Sequence, residues 1–177
     1  MSSAVVKDNF IPKGSFEILQ KQLLGTKMNW SFRTDKVKDT ESTDSFQFVH
    51  MFYAPYMPKK GWPVIEDKVN LLETLLYTLN PYIVIKIKAN LTPRTAVPDK
   101  TDFHIDLGDF LGQKTAIFYL NTNNGYTEFE DGTIVESVAN RICVFDGSER
   151  HRGVSCTDEK MRVVINLNYI SYPEISV

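Results

Sequence analysis

From Tyr82 to Ile170 the apolar residues of this chain recur mainly at every second position. So long a run of short alternating strands must bury its faces against one another or against helices. Ile83, Ile85, Ile87 and Ala89 fall on one face of the first strand, with Val84, Lys86 and Lys88 on the other. The same reading predicts strands near Tyr82 to Ala89, Phe103 to Leu107, Thr115 to Leu120, Tyr126 to Glu130, Thr133 to Val138, Arg141 to Phe145, His151 to Cys156 and Met161 to Ile170. Asp131-Gly132 between two of them suits a two-residue hairpin turn with positive φ angles.

The first part of the chain mixes periods. Phe16, Ile18, Leu19, Leu23 and Leu24 have helical spacing and stop at Gly25, a residue suited to a left-handed cap. Met28, Trp30 and Phe32 alternate as in a half-buried strand, and Phe46, Phe48, His50 and Phe52 repeat that pattern. Between them the polar run 35–44 reads as a loop. A second helix is expected to begin near Pro63, with Ile65, Val69, Leu72, Leu76 and Leu79 on one stripe, and to end at Asn80-Pro81. Two helices followed by about eight strands predict a mainly β (α+β) fold, a double-sheet jelly roll with the N-terminal helices packed on one sheet.

At 177 residues with 42% apolar side chains, one domain is expected, 1–177, able to stabilise its core without disulfides or a structural metal. Within it 1–81 supports a strand-built core at 82–170. Lys and Arg number 20 against 22 Asp and Glu, so the basic excess that binding a phosphate backbone requires is missing and no nucleic-acid partner is expected. Cys143 and Cys156 lack C-x-x-C spacing and suit a reducing interior. No leader and no bilayer-spanning run is read, so a soluble, cytoplasmic protein is the expectation.

The residues richest in chemistry are Phe103-His104-Ile105-Asp106-Leu107. Strand alternation would point His104 and Asp106 the same way. An imidazole and a carboxylate sharing a buried face need hydrogen bonds or a metal, whereas on an exposed strand they are unremarkable polar side chains. His151, 45 positions after Asp106, supplies a third donor at the start of another strand. Two histidines and one carboxylate on one face of an octahedron leave positions open for a co-substrate and oxygen, the arrangement of non-haem Fe(II) sites. His50, alternating with phenylalanines, reads as a packed residue. In Met161 to Tyr169 one face is wholly apolar, while the other carries Arg162, Val164, Asn166 and Asn168; an inward Arg162 would grip a carboxylate through two parallel hydrogen bonds, an outward one would make a surface ion pair.

With these residues in place, 82–170 resembles the Fe(II)- and 2-oxoglutarate-dependent oxygenases of the prolyl 4-hydroxylase-like branch. The resemblance lies in the order His104-x-Asp106, Ile117-Phe118-Tyr119-Leu120-Asn121, Gly125-x-Thr127-x-Phe129, Arg141 to Phe145, His151 and Arg162. The stretch Asn121 to Gly125 is also similar to phage-encoded members. The resemblance implies a double-stranded β-helix (cupin-like jelly roll), with iron on His104, Asp106 and His151 as the catalytic residues. It places the distal carboxylate of 2-oxoglutarate on Arg162 and Tyr119, and leaves Arg141 unassigned. The cofactor set it implies is Fe(II), 2-oxoglutarate and O2, with ascorbate as an auxiliary reductant. The implied reaction is hydroxylation of an unactivated C–H bond, with a prolyl residue of a peptide or protein as acceptor, or alternatively a free amino acid or other small molecule. Asn168 stands where demethylating relatives carry a second arginine, which disfavours base repair, and the retained Asp106 disfavours halogenation. Two further readings stay open: a non-catalytic jelly-roll binding module, and hydrolysis at another divalent metal. The segments 35–44 and 90–102 are candidate lids.

Overall fold

The computed structural model describes residues 2–34, 46–55, 64–65, 67–108 and 112–172. In chain order the elements are β1 (Val5–Lys7), α1 (Lys13–Leu23), β2 (Ser31–Arg33), β3 (Gln47–Ala54) and β4 (Val64–Ile65), then a 3-10 helix (Asp67–Leu72) leading into α2 (Glu73–Leu79). They continue with β5 (Ile83–Pro93), β6 (Gln113–Tyr119), β7 (Tyr126–Phe129), β8 (Ile134–Glu136), β9 (Arg141–Asp146), β10 (His151–Val154) and β11 (Met161–Ile170). An eight-stranded sheet runs β1-β9-β6-β11-β5-β3-β2 with β4 paired to β3, and a second, three-stranded sheet runs β10-β7-β8. Every described pairing within them is antiparallel.

The large sheet has a dry face and a wet one. On the dry face Phe16, Leu19 and Leu23 of α1, with Leu72 and Leu75, join one core with Phe118, Ile142, Val163, Ile165 and Leu167. The Phe16 ring meets Phe118 edge-on at 6.0 Å. The opposite face looks toward the small sheet. There Ile117, Tyr119, Cys143 and Val164 form a second, smaller cluster with Phe129, Val135 and Phe145. In β6 the inward residues are therefore Thr115, Ile117 and Tyr119, an orientation that periodicity alone leaves undecided.

Several boundaries differ from the sequence reading. Helix α1 ends through the Leu24 N–H, donated to Gln20 O at 2.9 Å, with Leu24 in right-handed geometry. Gly25 is small for another reason: a Cβ there would sit 2.6 Å from the Lys21 carbonyl oxygen. The second helix starts later than expected, because Val64 and Ile65 pair with Tyr53 and Ala54 as β4 and their backbone belongs to the sheet. It begins as the 3-10 helix at Asp67 and stops at Asn80, whose φ of 51° closes the last turn onto Leu76 O. Pro63 lies outside the described residues. The β7–β8 turn spans three residues: Gly132 N donates to Phe129 O, Phe129 N donates to Thr133 O, and only Gly132 takes a positive φ, 87°. In β5 the register slips so that Asn168 faces Lys86 while Tyr169 faces Val84. This bulge turns Val84 onto the helix-side core, against simple alternation. Of Met28 to Phe32 only Ser31 and Phe32 lie in a strand, β2, on the sheet edge.

The segment Phe103 to Leu107 is not a strand. It contributes one bridge, His104 opposite His151, with both backbone bonds at 3.0 Å. Upstream, Lys100 bridges Val154, and Thr101 N donates to Gly153 O. The chain thus runs raggedly along β10 and loses its partner where β10 begins, at His151. Of the candidate lids, 90–102 begins inside β5, which runs to Pro93, and is then fastened along this path through Arg94 N to Lys160 O, Thr95 N to Cys156 O and Ser155 N to Asp99 O, so it forms part of the cavity wall. The run 35–44 lies outside the described residues. Among those described, no helix is long and apolar enough to cross a membrane.

Candidate metal centre

The two backbone bonds between His104 and His151 set their rings side by side, centroids 4.9 Å apart. Beyond the bridge the chain bends, and the bend brings the Asp106 carboxylate back to 3.8 Å from His104 Nε2. One donor atom from each of His104, Asp106 and His151 lies within 4.8 Å of the other two. His104 and Asp106 converge through this turn, not through strand alternation. Gln113 holds the turn: its Nε2 donates to Leu107 O at 3.0 Å and Gly108 O at 3.3 Å. The Gln113 side chain occupies space that a Cβ on Gly147 would fill, at 2.3 Å.

Protonation is arranged by backbone carbonyls. His104 Nδ1 lies 3.1 Å from Asp102 O, and His151 Nδ1 lies 3.1 Å from Glu149 O. A carbonyl only accepts, so both Nδ1 atoms carry a hydrogen, and Nε2 is in each ring the nitrogen left to meet a metal. Burial, then the neighbouring His151, lowers the His104 pKa below its ordinary 6.5, which favours the neutral, ligating form. Burial opposes ionisation of Asp106, yet Lys86, His151, Lys88 and His104 outweigh it and hold the carboxyl well below the usual range. Two asparagines of β11 aim it: Asn168 Nδ2 donates to Oδ2 at 3.1 Å, and Asn166 Nδ2 lies 3.4 Å from the same oxygen. The donor set, two imidazoles and one carboxylate, fits a divalent first-row ion with open positions.

The same cavity holds Arg162, which is 5% exposed. Its Nε donates to Ser137 Oγ at 2.8 Å and one terminal nitrogen to Thr127 Oγ1 at 3.1 Å. Tyr119 donates its hydroxyl to the same Thr127 oxygen at 2.9 Å, and its ring centroid lies 5.5 Å from the guanidinium carbon. Burial pushes the Tyr119 hydroxyl up to about 12, so it stays a protonated donor. Burial also lowers the Arg162 pKa from its ordinary value. Among the described residues no carboxylate pairs with Arg162. A guanidinium buried against hydroxyls alone is costly, and an incoming anion would neutralise it. Gly125 makes room for it, since a Cβ there would lie 2.8 Å from Arg162 Cδ.

Thus His104, Asp106, His151 and Arg162 line one cavity, and Tyr119 reaches its wall through Thr127. Arg141 lies elsewhere: its Nε and one terminal nitrogen clamp Asp8 at 2.6 and 3.0 Å, tying down the N-terminal region beside β1. His50 is packed, Nδ1 on Asn29 O at 2.7 Å and the ring 4.5 Å from Phe52. Sequence reasoning missed Ser137 and the grip of Thr127, whose signal was only that both are hydroxyls next to apolar strand residues. It also missed Asn166 and Asn168 as the partners of Asp106.

No family model matches the chain, and no curated protein does. Solved structures do match, over nearly its whole length. A prolyl hydroxylase from Trichoplax adhaerens, in complex with a hypoxia inducible factor oxygen degradation domain peptide fragment, is 16% identical with a TM-score of 0.58, covering 97% of this chain and 84% of that one. A 2OG-Fe(II) oxygenase family oxidoreductase from Burkholderia pseudomallei is 11% identical, TM-score 0.64, covering 94% and 84%. The non-heme alpha ketoglutarate dependent epimerase SnoN from nogalamycin biosynthesis is 12% identical, TM-score 0.61, covering 96% and 77%. At these identities the likeness is one of fold: the chain has the double-stranded β-helix of the 2-oxoglutarate oxygenases.

Proposed function

We propose that this chain is an Fe(II)- and 2-oxoglutarate-dependent dioxygenase that hydroxylates an unactivated C–H bond, with 82–170 as its catalytic core and 1–81 as support. The observation that carries this is the buried Arg162, without a carboxylate partner among the described residues, in the cavity of the His104, Asp106 and His151 cluster. A metal site alone admits many reactions. A metal site facing a sequestered guanidinium asks for a ligand that is an anion at one end and a chelator at the other.

In this reading His104 Nε2, His151 Nε2 and one Asp106 oxygen hold the ion. Asn168 and Asn166 bind the other Asp106 oxygen and keep the carboxylate from rotating. Arg162 takes the distal carboxylate. Thr127 and Ser137 orient the guanidinium, and Tyr119, its hydroxyl already given to Thr127, stiffens the grip from below. Ile117 and Val164 in the cavity wall keep water from the reacting atoms. When bound, iron with its keto acid supplies the oxidation itself: 2-oxoglutarate, O2 and R–H become succinate, CO2 and R–OH. Ascorbate would serve to restore Fe(II) after unproductive turnover.

The motif order and the prolyl hydroxylase among the fold neighbours support a proline ring as acceptor, carried by a peptide or free. The buried free thiols of Cys143 and Cys156 suit a reducing compartment such as the cytoplasm. The test is succinate formation from 2-oxoglutarate in air with Fe(II), together with a product heavier by one oxygen atom. His104→Ala should abolish both. Iron-independent turnover, or hydrolysis without oxygen, would replace this reading with the metallohydrolase one, and absence of any turnover would leave a binding module.

A further inference from the structure

The wet face of β5 carries a second cation that the proposed reaction does not use. Lys88 sits opposite Asn166 of β11 and Met51 of β3, and lines the same cavity as the metal cluster and Arg162. Among the described residues it forms no ion pair; the carboxylate whose charge it feels is Asp106, already committed to the metal. Burial pushes its ammonium down to about 8, a sign that its environment does not repay the charge.

Two residues along the same face, Asn90 offers the complementary group. Asp106 only accepts, so Asn166 must turn its Nδ2 toward it and its Oδ1 away, and Asn90 Nδ2 donates to that Oδ1 at 3.2 Å. The amide orientation of Asn90 is thereby fixed. Its Oδ1 is buried, with no hydrogen-bond partner among the described residues. A buried acceptor left without a donor is expensive, and the cavity is where a donor would arrive.

Charge points the same way. The ion's two positive charges and that of Arg162 are matched by Asp106 and the two carboxylates of the co-substrate. Lys86 donates to the Asp106 carbonyl, which leaves Lys88 as the second cation of the cavity wall, with no ion pair among the described residues. The backbone of an internal peptide residue brings no carboxylate to it, whereas a free amino acid does.

We propose that Lys88 and Asn90 form the acceptor subsite, Lys88 taking a carboxylate and Asn90 Oδ1 a neighbouring N–H, so that the substrate is a free α-amino acid. The proposal rests on the dioxygenase reading and narrows its acceptor.

The experiment measures succinate formation by the Fe(II)-loaded protein with saturating 2-oxoglutarate, against each standard free L-amino acid and its carboxamide. At least one free amino acid should accelerate succinate formation while its carboxamide does not. Lys88→Met should raise the half-saturating concentration of that amino acid by about tenfold or more, the loss expected for a charge-assisted hydrogen bond. The KM for 2-oxoglutarate should move by less than about threefold, and Lys88→Arg should recover most of the loss. Calorimetric titration of the same amino acid into the Mn(II)- and 2-oxoglutarate-loaded protein should show the same weakening without turnover. Lys88→Met should also melt no lower than the parent, because it removes a buried, unpaired cation. A silent panel, equal stimulation by carboxamides, an effect falling on the 2-oxoglutarate KM, or a marked drop in melting temperature would each overturn the subsite. The anaerobic charge-transfer band of 2-oxoglutarate on the Fe(II)-loaded protein, read without any acceptor, reports separately on the dioxygenase reading: its absence sinks that reading, while its presence with a silent panel sinks only the subsite.

Discussion

The two faces of β11 are buried to a similar degree and differ in chemistry. Val163, Ile165, Leu167 and Tyr169 enter the apolar core under the helices. Arg162, Asn166 and Asn168, alternating with them and equally buried, bring a guanidinium and two amides into the barrel. A backbone that costs the same to order on either side thus serves stability on one face and chemistry on the other. Buried polar groups on the wet face are held by specific partners, Ser137 and Thr127 for Arg162, Asp106 for both asparagines. Mutations on the two faces should therefore separate cleanly in what they damage.

The largest effect should come from the dry face. Leu167→Ala, at 1% exposure, should cost about 2–5 kcal/mol in denaturant unfolding, while protein that remains folded keeps its affinity for 2-oxoglutarate. On the wet face, Arg162→Met should weaken 2-oxoglutarate binding by about a hundredfold or more and leave the unfolding midpoint unchanged or raised, because an uncompensated buried charge is removed. If Arg162→Met unfolds the protein, the contrast between the faces is broken. Asn168→Ala should lower metal affinity by about 10- to 100-fold, measured by competition with a chelator, since it frees one Asp106 oxygen from its orienting bond.

The smallest effect is that of pH on the metal-free protein. The folded pKa of His104 lies below 6.5, so as pH falls through 6.5 the unfolded chain takes up a proton that the folded chain refuses. Stability should decline as the pH drops below that point, and His104→Gln should remove this part of the slope. A slope of opposite sign would mean that the ring is stabilised charged, contrary to its place beside His151.

Much of this contrast was legible in the residues. The run Met161–Ile170 is as long in the structure as its alternation predicts, because a central strand buried on both faces leaves no room for a bulge on its own side. The spacing of His104, Asp106 and His151 likewise identified residues that do meet. What alternation could not supply was the route. His104 and Asp106 share a side because a bend, braced by Gln113, returns the chain after a single bridge, and a bend has no period to read. The faces of β5 were misjudged at Val84, since a bulge opposite Asn168 and Tyr169 is set by pairing partners far along the chain. The hydroxyls that seat Arg162, and the amide pair that aims Asp106, come from long-range packing between sheets, which no local pattern records.

The central claim is that one cavity joins a two-histidine, one-carboxylate iron site to a guanidinium that receives a diacid. Its most direct test is anaerobic titration of the Fe(II)-loaded protein with 2-oxoglutarate, following the visible charge-transfer band of a keto acid chelated to ferrous iron. The account predicts a saturable band that is lost in His104→Ala and shifted to much higher 2-oxoglutarate concentration in Arg162→Met. A protein that takes up no iron, or one whose band titrates identically in the parent and Arg162→Met, would contradict it.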